Sequence, residues 1–198
     1  MDSSADRIVP LDQLDDFKVA EGDPDVRGWD VLTADGLKFG EVDNLLVDTA
    51  ALKVRYLDVD IDDDLIETDV DRHILIPIGY ARLDEDDDRI FVDSLNSTTL
   101  NQIPDYRLGS LTRDYETKLH GFFDIDNEFA GSESDRDFYA HRSYSDNDFY
   151  GTRRSGEEQR VTRSEEDLAV ENETVEADLR RERGDVRREG DAEVRDQR

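Results

Sequence analysis

Between Lys53 and Ile61 the chain reads KVRYLDVDI, in which Leu57, Val59 and Ile61 alternate with Asp58 and Asp60. A period of two predicts a strand with one apolar and one wetted face. The preceding WDVLTADGLKFGEVDNLLVDTAA predicts a hairpin, since two extended runs flank Asp35-Gly36, a pair that tolerates positive φ in a tight turn. In RHILIPIGYARL, Ile74, Ile76 and Ile78 fall on one side and Leu75, Pro77, Ala81 and Leu83 on the other, the pattern of a strand buried on both faces. Pro77 has no N–H to donate, so that strand belongs at an edge or a bulge. RIFVDSL adds a fifth strand, and Ser97 is placed to cap a short helix over STTLNQI that Pro104 stops. Upstream, Leu11, Leu14 and Phe17 have helix-like spacing, which predicts a short turn or helix docked over one end of the sheet. The sum is a mainly β fold, a small, strongly bent antiparallel sheet or barrel with short helices.

The pattern breaks near Leu119. From Gly121 to Gly156 aromatic residues recur among Asp, Ser, Arg and Gly with neither helical nor strand period, and residues 157–198 are dense in mixed charge. Leu168, Val175 and Leu179 suit one side of a partial helix, and Leu168-Ala169-Val170 suits a weak strand. The chain therefore reads as an N-terminal docking segment (1–25), a β domain (26–119), a disordered aromatic and acidic linker (120–156) and a charged, partly helical or disordered tail (157–198). The last two together form a long disordered acidic and Arg-rich tail.

Charge narrows the partners. Acids outnumber bases 53 to 25, for a net charge of −28. Nucleic acids and anionic lipid surfaces are bound through Lys and Arg, so both are disfavoured. The absence of cysteine excludes disulfides, thiolate zinc sites and thiol chemistry. No run approaches the roughly 18 apolar residues of a membrane span, and MDSSADRIVPLDQL lacks the basic-then-apolar pattern of a signal peptide. The expectation is a cytoplasmic protein without direct membrane insertion. Self-repulsion at this charge strains the compact state and salt screens it. The urea midpoint should therefore rise between low salt and about 1 M NaCl, where charges beyond a few ångströms are screened; a midpoint that stays put contradicts the repulsion argument.

The order of elements from Arg27 to Asp105 resembles the PRC-barrel family, the small β-barrel of the photosynthetic reaction-centre H subunit and of the C-terminus of the ribosome maturation factor RimM. The residues that carry the resemblance are ADGLKFGEVDNLLVD, RYLDVDI, HILIPIGYARL, RIFVDSL and the downstream IPDY. The resemblance implies a docking or assembly module and no catalytic residues, although function belongs to sites and not to folds. A second similarity lies in EEDLAVENETVEADLR, Glu165 to Arg180, which is similar to the opening of the YsnF/AvaK-type stress-response domain but has Asp178 where that family has a glycine. It implies an association with bacterial stress response.

Candidate sites are few. Asp62, Asp63 and Asp64 form one acidic focus, and Asp84, Asp86 and Asp88 belong to another, the run DEDDD. Neither has the alternation and glycine of a calcium loop, so both read first as solvated turns; brought to one end of the barrel, they would hold Ca²⁺ or Mg²⁺ weakly. No other cofactor is expected. His73, His120 and His141 are scattered, and neither a nucleophile elbow nor a phosphate loop occurs, so no enzyme is expected. The expected partner-binding residues are Ile74, Ile76, Ile78 and Tyr80, in the strand that needs a cover, and Phe138, Tyr139, Phe149 and Tyr150, anchors suited to fold onto a partner or onto the barrel. The expected function is a non-catalytic, stress-associated protein-interaction module with an unidentified protein partner and a homodimer through a free edge. Two alternatives stand beside it: an H-subunit-like accessory of an electron-transfer assembly that tunes proton supply, and a divalent-cation buffer.

Overall fold

A computed structural model describes residues 7–65, 71–123, 138–151 and 161–163. The chain divides into compact units between Thr162 and Arg163, and the elements around the core belong to the first. Among the described residues the fold is mainly β, with one helix of more than a single turn.

The strand β1 (Ile8–Pro10) is followed by β2 (Phe17–Val19), β3 (Asp30–Thr33), β4 (Lys38–Asp48), β5 (Lys53–Ile61) and β6 (His73–Pro77). Next come β7 (Arg82–Asp84), β8 (Arg89–Val92), β9 (Asp105–Tyr106) and the helix α1 (Arg113–Phe123). The sheet order is β7-β8-β3-β4-β5-β6-β9. The long strand β4 organises it. One edge of β4 pairs along its length with β5, while the other edge is shared between β3, opposite Lys38–Glu41, and β1, opposite Leu46–Asp48. β2 lies in a separate two-stranded sheet with the strand that begins at Val161.

The predicted hairpin is β3–β4, and Gly36 adopts φ +79° at its turn. Two expectations about the sheet change. The contact between β3 and β8 is parallel, since Asp30 to Thr33 run alongside Arg89 to Val92 in the same direction. The path also ends at β7 and β9 without a ladder between them among the described residues, so the sheet is open where a barrel was expected to close.

RHILIPIGYARL is not one strand. β6 stops at Pro77, Ile78–Tyr80 make a 3-10 turn, and β7 begins at Arg82. Pro77 sits at the end of β6, past the His73 and Ile74 positions that pair with β9, so its missing N–H breaks no ladder with that strand. Ser97 is not a cap either. Asn96 Oδ1 accepts from the N–H groups of Thr98 and Thr99 at 3.0 and 3.1 Å, Ser97 Oγ donates to Asp35, and the helix shrinks to a 3-10 turn at Leu100–Gln102. The N-terminal docking segment becomes β1 and a 3-10 turn at Leu11–Gln13, with Leu11 buried.

The interior is continuous. Phe39, Leu45, Tyr56, Leu57, Ile74, Leu75, Ile76 and Ile78 are fully buried, and Leu119, Phe123, Phe138, Tyr139, Tyr144 and Phe149 join the same cluster. The last six belong to the region that composition assigns beyond or at the domain boundary. Helix α1 crosses that boundary and takes in residues 120–123 of the expected disordered linker, and the linker's residues 138–151 pack against the same core, because their aromatic side chains find apolar surface there. The expected stress-domain similarity at 165–180 and most of the tail lie outside the described residues.

Candidate docking face and its cover

Tyr56 of β5 and the 3-10 turn Ile78–Tyr80 form a face that α1 and residues 138–150 cover. The fit is closest at Gly79. A Cβ built there would lie 2.2 Å from the carbonyl oxygen of Arg142 and 2.9 Å from the backbone of Ser143, so only glycine admits the covering chain. Tyr80 stacks on Phe123 with ring centroids 5.1 Å apart and accepts from Ser143 Oγ at 3.1 Å. Tyr56 meets the Tyr144 ring edge-on at 5.4 Å and donates to Glu116 Oε1 at 2.9 Å. The single helical turn Asn147–Tyr150 packs against β7 and the Ile78–Tyr80 turn.

Buried polar groups hold the cover in place. Glu116, fully buried on α1, accepts from both Tyr56 and Tyr139 hydroxyls and pairs with Arg113 at 3.2 Å. The Arg113 guanidinium lies 3.9 Å from the centroid of Phe138. Burial, reinforced by Glu116 and the neighbouring tyrosines, pushes the Tyr56 and Tyr139 phenols well above their ordinary range, which keeps them neutral donors. On the other side, Arg55 donates to the carbonyls of Tyr139 and Tyr144 at 3.3 and 3.0 Å and pairs with Asp48 at 3.2 Å. Arg7 pairs with the same carboxylate at 2.6 Å. Burial opposes ionisation of Asp48, but Arg7, the Ala51 amide and Arg55 outweigh it and hold its carboxyl below the usual range. An Arg in a central strand is thus the sheet's polar clasp on the cover.

Of the expected partner-binding residues, Ile74, Ile76, Ile78, Phe138, Tyr139 and Phe149 are buried, and Tyr80 and Tyr150 half-buried. The two groups meet each other, so neither is open surface in this structure. His120 and His141, far apart in sequence, come together at 3.4 Å in the same contact. The sequence signals for Arg55, Glu116 and the histidine pair were absent, because only the fold makes them neighbours. Gly79 did carry a signal, since a glycine inside an apolar run marks close backbone approach.

The acidic foci separate. Arg89, Asp30, Glu41 and Asp60 share one level across the sheet; the Asp84–Asp88 turn leaves it in one direction and Asp62–Asp64 in the opposite one. They do not form one end, and residues 85–88 are solvent-exposed as a turn should be, with Asp88 at φ +51°.

Asp58 departs from the predicted wet face and is buried at 4% exposure. Its Oδ1 lies 2.9 Å from His73 Nδ1. Burial raises the Asp58 pKa to about 6 against the pull of His73. Burial also opposes protonation of His73, but the hydrogen bond and charge of Asp58, with Asp60 and Asp43 behind it, outweigh that and raise its pKa. Both shifts have the same sign for stability. A raised folded-state pKa favours the fold below the unfolded value, about 4 for Asp and 6.5 for His, and that advantage is lost as pH rises through the folded value. Relative to Asp58→Asn, the wild type should lose stability from about pH 4 to above pH 6.5. Urea unfolding across that range measures the difference, and a gap that grows in favour of the wild type contradicts the assignment.

Among the described residues no helix is long and apolar enough to cross a membrane. Compared with known protein families, residues 18–98 match the family described as PRC-barrel domain. The covered face, Tyr56 to Tyr80, lies inside that span; α1 and residues 138–150 lie outside it.

Proposed function

Since residues 18–98 belong to the PRC-barrel domain family, which suggests a non-catalytic module, we propose that this protein is a docking and assembly module whose receiving surface is the face around Tyr56, Ile78, Gly79 and Tyr80. One observation carries the reading: the family domain presents an apolar face that is filled by chain from beyond the domain. A face that accepts an aromatic segment flanked by acids in cis, through ring contacts and through carbonyls held by Arg55, has what is needed to accept one from another protein. The chain's own residues 138–150 then compete with the partner, and assembly proceeds by exchange of one such segment for another. The stress association implied by the tail remains part of this proposal, with the stress signal acting on the exchange.

In-cell crosslinking tests it. A photo-crosslinking residue at position 80 should capture a protein through an aromatic, acid-flanked segment in a chain ended after Phe123, and much less of it in the full chain. Equal capture of that protein in both, or crosslinks confined to other surfaces, would overturn the proposal.

A further inference from the structure

Away from the covered face, an open cleft of ≈ 640 Å³ is lined by side chains of β4, β5 and β6. Three of them converge. Asp43, Asp58 and His73 each offer a donor atom within 4.8 Å of the other two. The sheet register explains why. The ladder between β4 and β5 shifts between Val42/Val59 and Asn44/Asp58, so Asp43 is the extra residue of a bulge, a device that re-aims a side chain. His73 opposes Asp60 on β5, one diagonal step from Asp58. Three adjacent strands thus deliver one imidazole and two carboxylates to one point.

We propose that Asp43, Asp58 and His73 form a binding site for a divalent transition-metal cation of the Zn²⁺ type. Donor atoms bound to one such ion at about 2.0–2.2 Å lie roughly 3 to 4 Å apart. The 2.9 Å hydrogen bond between His73 Nδ1 and Asp58 Oδ1 is a few tenths of an ångström short of a ligand edge, which opens when the ion replaces the shared proton, and Asp43, on the exposed side, closes the remaining gap by side-chain rotation. The other ring nitrogen, Nε2, faces Asp60 Oδ1 at 3.9 Å, the side from which a carboxylate orients a metal-bound histidine. The mixed nitrogen and oxygen set selects against Ca²⁺ and Mg²⁺, which take oxygen donors throughout. Asp12 and Asp71 add negative charge to the cleft, Arg107 is the one Lys or Arg among its described lining residues, and the open side leaves room for water or a fourth ligand.

The test is calorimetric titration of the full chain with ZnCl₂ at neutral pH, beside the variants Asp43→Asn and His73→Gln. Asp43 is exposed, so its replacement leaves the fold intact. The strongest site should be one-to-one and should weaken by about tenfold or more in either variant, and by about tenfold in Asp60→Asn. Imidazole NMR should show Zn²⁺ moving the His73 Nδ1 resonance, and equimolar Ca²⁺ should not reverse it. Unchanged Zn²⁺ affinity in both ligand variants, or a site occupied equally by Ca²⁺, would overturn the proposal and leave only diffuse binding to the acidic surface.

Discussion

Gly79→Ala should destabilise the protein by about 3 kcal/mol, the upper part of the range for inserting a methyl group into packed structure. The added carbon has nowhere to go, because what it meets is the Arg142 carbonyl and the Ser143 backbone and not a side chain that can swing aside. Gly79 itself does not have a positive φ, so backbone strain contributes nothing. The loss should fall on the covering segment first. Gly121 supplies the control: it lies exposed within α1 and a Cβ there meets nothing within 4 Å, so Gly121→Ala should stabilise by about 0.5–1 kcal/mol through helix propensity alone. Two glycine-to-alanine changes of opposite sign, read by urea unfolding, separate the close approach from any general effect. Similar losses at both positions would contradict it.

The second large effect concerns the clasp. Asp48→Ala should cost about 3–5 kcal/mol, because it strands the buried Arg55 guanidinium, whose side chain is 8% exposed, without its counter-charge. Asp48 has another task, since Oδ1 accepts from the N–H groups of Ala50 and Ala51 at 3.1 and 3.0 Å and shapes the β4–β5 turn where Leu52 takes φ +54°. Asp48→Asn keeps an acceptor for those two bonds and removes only the charge, so it should cost less than Asp48→Ala. Pairing Asp48→Leu with Arg55→Met removes both buried charges and should recover the part of the loss that comes from the stranded guanidinium, while the turn bonds to Ala50 and Ala51 stay unmade. A double variant no more stable than Asp48→Ala would mean that Arg55 matters through its bonds to Tyr139 and Tyr144 and not through its charge.

How much of this was legible differs by residue. The alternation of Leu57, Val59 and Ile61 and the Asp35-Gly36 turn are local signals that produced the strand and turn they predict, and the apolar run from Ile74 produced a strand only as far as Pro77. Pro77 and Gly79 announced a break in that run, but a period-two pattern outweighed them. The parallel placement of β8 beside β3 depends on where the chain returns, which no local window contains. The tail aromatics misled for a related reason. Phe138, Tyr139, Tyr144 and Phe149 show no regular period because they do not share one long element: Tyr144 ends a 3-10 turn at Arg142–Tyr144, Phe149 sits in the helical turn Asn147–Tyr150, and Phe138 and Tyr139 precede both. Their number was the usable signal: so many aromatic side chains in a charged stretch need a surface, and the doubly apolar strand needed a cover. Asp58 shows the converse limit. On the alternation it belongs to the wet face, yet it is buried in a cleft it shares with His73 and Tyr106, residues of other strands that the sequence of β5 does not encode.

Amide hydrogen exchange on the full chain, wild type beside Gly79→Ala, tests the central claim most directly. In the wild type, the amides of Tyr144, Ser145 and Tyr150, each hydrogen-bonded within the cover, should be protected because the cover is seated on the sheet. In Gly79→Ala those amides should exchange quickly while the β4–β5 ladder from Leu45 to Leu57 keeps its protection. That pattern identifies a docking face with a separable occupant. Protection lost together in the cover and the ladder would make residues 138–150 an integral part of one cooperative core, and would contradict the account.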